Sequence, residues 1–121
     1  MTEIPPKIMR IRYCLIVTTY SKARTGSNII DALLAERLAA CIQVVPITSF
    51  YTWKGRRARS RESLLLIKAR ARDFGLVESA ILRNHDYEIP EIVSLPVDRG
   101  FAAYLGWMAK ATAHGRAQAS R

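Results

Sequence analysis

The residues best suited to chemistry in this 121-residue chain are Cys41 and the segment His85-Asp86-Tyr87-Glu88. A thiolate at Cys41 would suit a soft ion such as copper(I), because sulfur binds soft metals through covalent overlap that a hard carboxylate cannot match. The bland reading of Cys41 is a small buried hydrophobe on a strand that leaves Ala39 and Ala40. His85 and Glu88 stand three apart, so a helical turn there would offer an imidazole and a carboxylate to one ion, with Asp86 adding an oxygen. Two or three donors fall short of a closed four-ligand zinc set unless neighbouring subunits supply the rest. The competing reading gives the His85 ring a capping or turn-forming hydrogen bond. For nucleophilic catalysis Cys41 and His85 would be the sole pair, since the other histidine, His114, falls near the C-terminus.

A second group lies on strands. Tyr51 and Trp53 alternate with Phe50 and Thr52, so their rings share one face. Such a pair stacks bases in some proteins, but more often it packs a sheet or a subunit. Glu62 and Lys68 also share a face, because their separation is even, and they suit an interface ion pair, a ligand contact or a solvated surface.

The elements that must hold these residues follow from hydrophobic spacing. Arg10 to Thr19 is apolar on both faces and predicts a central strand. Ser21 is placed to cap a helix reaching about Leu38, with Gly26 weakening its first turn. Ala40 to Trp53 predicts one long bent strand or two collinear pieces, interrupted at Pro46. Lys54-Gly55 begins a hairpin turn, and Ser63 to Arg70 forms the returning strand. Asp73 is placed to cap a helix that buries Phe74, Val77, Ile81 and Leu82 and ends near Asn84. A short strand, Glu91 to Val97, and a last helix with Tyr104, Leu105 and Met108 on one side complete a βαββαβ-then-α order. Two crossovers joined by a hairpin predict the ferredoxin-like α+β sandwich, an antiparallel sheet with both crossover helices on one face.

Half the residues are hydrophobic, enough for one core, and the chain is too short for two. One domain over residues 10–112 is expected, with a flexible N-terminus at 1–9 and a disordered basic tail at 113–121. No stretch approaches the roughly 20 apolar residues of a membrane span, and the N-terminus lacks a secretory layout. Two cysteines outside any CxxC pair imply reduced thiols and a cytoplasmic setting. The net charge of +9 is densest at Lys54, Arg56, Arg57, Arg59 and Arg61. That run reads as a solvated turn, with a basic nucleic-acid-binding module as the alternative.

Four ordered blocks resemble the CutA divalent-cation-tolerance family: Leu34-Ala-Glu-Arg-Leu-Ala-Ala-Cys41, Ser49-Phe-Tyr-Thr-Trp-Lys-Gly55, Glu62 to Lys68, and His85-Asp-Tyr-Glu-Ile-Pro-Glu91. Pro96, Tyr104 and Trp107 follow at compatible spacing. The resemblance implies a ferredoxin-like subunit in a tight homotrimer paired through long strands, similar in design to the nitrogen-regulatory P-two signalling proteins. It also implies a role in tolerance of metal, especially copper, with no agreed reaction. On this reading Cys41, His85 and Glu88 are the metal candidates, for copper or another divalent cation. Tyr51, Trp53, Glu62, Lys68, Tyr87, Glu91 and Trp107 are candidates for a small ligand or for the subunit interface. The chain departs from the family pattern at Gln43, Ile47 and Asp86, at Tyr20, which is Cys in some members, and at a hairpin tip that is basic rather than acidic.

Other functions on the same fold fit less well. An RNA-recognition motif needs exposed stacking rings on its third strand, where this chain has Leu64-Leu-Leu-Ile-Lys68. An acylphosphatase-type enzyme needs an anion cradle, and only Arg24 and Gly26 stand in that region. The expectation is therefore a trimeric protein that is not an enzyme and engages no membrane, with nucleic-acid binding kept only as the alternative.

Overall fold

The computed structural model describes residues 11–115. The expectations for residues 1–9 and for the tail beyond Gly115 lie outside the described residues. Strand β1 (Tyr13–Tyr20) is followed by helix α1 (Ala23–Ala35), strands β2 (Cys41–Trp53) and β3 (Arg56–Arg70), and a 3-10 turn (Ala71–Asp73). Helix α2 (Phe74–Asn84), strand β4 (Ile92–Val97) and helix α3 (Ala102–Ala111) complete the chain. The four strands form one antiparallel sheet in the order β2-β3-β1-β4, so the fold is mixed α+β with β1 internal, as its two apolar faces predict.

The pairing register assigns every strand residue to a face. Cys14, Ile16 and Thr18 stand opposite Ala69, Ile67 and Leu65, and all six are buried. Ile29 and Leu33 of α1 and Val77, Ala80 and Ile81 of α2 close over them to form the core. Truncating one of the fully buried branched side chains, such as Ile16→Ala, is expected to cost about 2–5 kcal/mol.

The other face carries Leu15, Val17, Leu64, Leu66, Val93, Leu95 and, on β2, Cys41, Val45, Tyr51 and Trp53. Helix α3 covers one end of it. There Tyr13 donates to the Leu105 carbonyl (3.1 Å), and the Arg70 guanidinium donates to the Ala109 carbonyl and to Thr112 Oγ1. The remainder is open, leaving Val93 and Leu95 about half exposed.

Several local expectations are corrected. Helix α1 ends at Ala35, because Arg37 adopts a left-handed φ of 58° and the Leu38 amide turns back to the Leu33 carbonyl. Arg37 instead donates to the carbonyls of Lys110 and Ala111, satisfying orphan acceptors at the end of α3. Neither Ser21 nor Asp73 caps a helix through its side chain. Leu82 faces solvent, while Phe74 is only partly buried. Of the two alternatives for the segment to Trp53, one long strand is observed, since β2 runs through Pro46, which an edge strand tolerates. Strand β3 already begins at Arg56, after a turn with positive φ at both Lys54 and Gly55.

Gly26 has a reason that propensity does not show. A Cβ there would lie 2.2 Å from the Tyr20 ring, which packs against the core. Gly26→Ala should therefore cost about 1–3 kcal/mol by displacing that ring, read as a lowered thermal midpoint.

Candidate functional site

A cleft of about 710 Å³ opens between the β2–β3 hairpin and the segment 85–91 that leads into β4. Six of the residues singled out from sequence line it: Tyr51, Trp53, Glu62, Tyr87, Glu88 and Glu91. Asp86 brings the carboxylates on its walls to four.

Tyr87 is the pivot. Its hydroxyl donates to Glu62 Oε1 at 2.8 Å, so that single proton is committed and the short contact with Ser21 is one in which Ser21 donates. The His85 side chain is 1% exposed beside it, with ring centroids 4.6 Å apart. His85 Nε2 lies 2.7 Å from the Thr19 carbonyl, which can only accept, and Nδ1 accepts from the Tyr87 amide at 3.2 Å. Both nitrogens are thus used in tying the 85–91 segment to the end of β1. This is the turn-forming role weighed from sequence, and a metal at either nitrogen would displace one of these bonds. Asp86 accepts from Thr25 Oγ1 and pairs with Lys22 at 3.4 Å, anchoring the segment to α1.

The electrostatics follow from these contacts. Burial would raise the Glu62 carboxyl, but hydrogen bonds from Ser49, Tyr87 and Thr19, with His85 nearby, hold it below its ordinary value. Burial, together with the bond and charge of Glu62 and the charge of Asp86, pushes Tyr87 up to about 12 despite the opposing bond from Ser21. A raised folded value means the stabilisation is complete below the ordinary 10.0 and is lost as pH climbs toward 12. Stability measured across that interval should fall more steeply in the native protein than in Tyr87→Phe. Parallel alkaline curves would show that Tyr87 titrates as an ordinary phenol.

The other sequence candidates lie elsewhere. Cys41 pairs in register with Lys68, whereas His85 bonds Thr19, which pairs through β1 with Leu64. Four residues of strand separate those positions, about 13 Å along the sheet. Cys41 and His85 therefore form no nucleophile–base pair, and Cys41, His85 and Glu88 do not meet as one ligand set within the chain. Among the described residues no group of three or more His, Cys, Asp or Glu side chains could hold a metal ion. Lys68 shares a face with Glu62 as expected but turns to Tyr104 (3.1 Å), whose ring stacks on Trp107 at 5.5 Å. Thr19, Ser21 and Thr25 carry no site signal in sequence, Ser21 reading only as a helix cap, because their partners lie 61 to 66 residues away.

The same frame is found in other proteins. Residues 14–111 match the family described as CutA1 divalent ion tolerance protein. The chain belongs to the CutA1 family. It is 36% identical over 99 residues to the divalent-cation tolerance protein CutA of Thermus thermophilus, covering 81% of this chain and 96% of that protein. It is 32% identical over 99 residues to the chloroplastic protein CutA 1 of Oryza sativa, covering 81% of this chain but only 56% of the rice protein. The solved structure of the periplasmic divalent cation tolerance protein CutA from Archaeoglobus fulgidus superposes with a TM-score of 0.80 at 29% identity, covering 84% of this chain and 99% of that one. Two of these CutA1 names describe divalent-cation tolerance, and none of the three names a reaction. Among the described residues no helix is long and apolar enough to cross a membrane.

Proposed function

We propose that this CutA1-family chain acts in divalent-cation tolerance as a homotrimer without catalysing a reaction, taking a cation or small ligand into the cleft beside Tyr87. The observation that carries this reading is the convergence of Glu62, Asp86, Glu88 and Glu91 on one cleft. Carboxylate oxygens suit divalent ions, and copper(II), which heads the first-row affinity order, is the ion tested first although an all-oxygen set does not by itself select it. The carboxylates of one chain do not close on an ion, so the remaining donors come from a neighbouring subunit or from the ligand itself.

The sheet supports assembly. Strand β2 offers 13 residues of backbone with a partner on one side only, an edge that natural proteins seldom leave bare. The apolar face beyond α3 would be buried in the same step, in a trimer of the design shared with the P-two signalling proteins. Cys41 is the weaker ligand candidate, since it stands about 13 Å along the sheet from the strand position that seats His85. The two free cysteines favour the cytoplasm.

Titration calorimetry with copper(II) and zinc tests the donor set. Glu62→Gln and Glu88→Gln should each weaken binding by about tenfold or more, while Cys41→Ser binds as the native protein does. Loss of binding only in Cys41→Ser would move the site to the other end of the sheet.

A further inference from the structure

The densest basic cluster in the sequence is divided by the pleat. Lys54 and Arg56 belong to the cleft side: Lys54 pairs with Glu88 at 3.9 Å and lies over the Trp53 ring, and Arg56 stands opposite Trp53. Arg57, Arg59 and Arg61 point to the opposite side, paired in register with Thr52, Phe50 and Thr48. All three arginines are exposed. None of the ion pairs among the described residues includes them. Phe50 is 68% exposed between them, with the Arg59 guanidinium 5.8 Å from its ring centroid.

This face continues the sheet surface that α1 and α2 cover over the core. The assembly proposed above buries the opposite face, so it would leave this one in solvent. Its three cations repeat at about 6.8 Å, two residues of antiparallel strand. That is twice the roughly 3.4 Å rise per phosphate of a stacked strand. A phosphodiester backbone stretched along the ladder therefore meets one guanidinium after another and leaves a base free to settle on Phe50. Duplex bases have no free ring face to offer, and inorganic polyanions have no base at all. An exposed ring set within a row of unpaired arginines favours an unpaired strand over either of them.

We propose that the Arg57–Arg59–Arg61 face, with Phe50 at its centre, binds single-stranded nucleic acid, by phosphate neutralisation along the arginines and stacking of one base on the ring. The cleft carboxylates on the other side of the hairpin take no part, although Phe50 itself borders that cleft.

The test is fluorescence anisotropy of a labelled oligouridine of roughly 12 nucleotides with the full chain, across a salt series. Phe50→Ala should weaken binding about 5- to 150-fold, and Phe50→Trp should restore it. Replacing all three arginines by alanine should flatten the slope of log affinity against log salt by about 2. Lys54→Ala, which removes a charge from the other side, should change affinity by less than about threefold, while duplex and inorganic polyphosphate compete poorly. Absence of binding, an unaltered affinity in Phe50→Ala, or equal competition by polyphosphate would overturn the proposal. So would a loss in Lys54→Ala as large as that in the arginine variant.

Discussion

Leu95→Asp is expected to convert the assembled protein into monomers. Leu95 is 48% exposed on the face away from α1 and α2, beside Leu15 and near the equally exposed Val93. Subunits that bury this face would carry one carboxylate each into an apolar contact, and each would cost several kcal/mol without a partner. Light scattering should give the native protein about three times the 13.6 kDa of the chain and the variant a single chain. Leu82→Asp is the control, because Leu82 is similarly exposed but lies on α2, on the other side of the sheet. A Leu95→Asp protein that keeps the native mass would show that this face is not the interface.

The second large effect is expected at the C-terminal end of the described chain. Asp73 is fully buried, and its Oδ2 lies 3.0 Å from Nε2 of His114, whose side chain is 7% exposed. The other carboxylate oxygen, Oδ1, has no hydrogen-bond partner among the described residues, and the Arg70 guanidinium supplies a further nearby charge. His114→Ala should cost about 3–5 kcal/mol, the usual penalty for leaving one partner of a buried pair alone. Against a total stability of about 5–15 kcal/mol this is a large share. Urea midpoints at fixed protein concentration would measure it. Asp73→Ala combined with His114→Ala should cost clearly less than the two changes added together. Strict additivity would mean the pair is not coupled.

What could be read in the sequence was whatever repeats locally. The alternation in Tyr13–Tyr20 and the spacing of Ile29, Leu33, Val77 and Ile81 encode their own faces, so the sheet, its internal strand and the core helices were legible. The contacts that close the site were not. Tyr87 was recognised as a candidate, but its bond to Glu62 spans 25 residues, and the seat of His85 on Thr19 spans 66. Ser21 reads as a cap from its neighbours, yet its hydroxyl goes to Tyr87 in space. His114 fell within the segment expected to be a loose tail, because small residues surround it, and nothing nearby announces the buried carboxylate 41 residues earlier. The two-to-three split of the basic hairpin between its faces was implicit in its parity and became meaningful only once the register placed Phe50 across from Arg59.

The central claim is that a cation binds in the carboxylate cleft of an assembled protein, and calorimetric titration of copper(II) into the native chain and into Leu95→Asp side by side tests it most directly. The account predicts stoichiometric binding by the native trimer and little or none by the folded monomeric variant, which lacks the neighbour's donors. Equal binding by both would contradict the shared site, and no binding by a native trimer would remove the cation from the cleft.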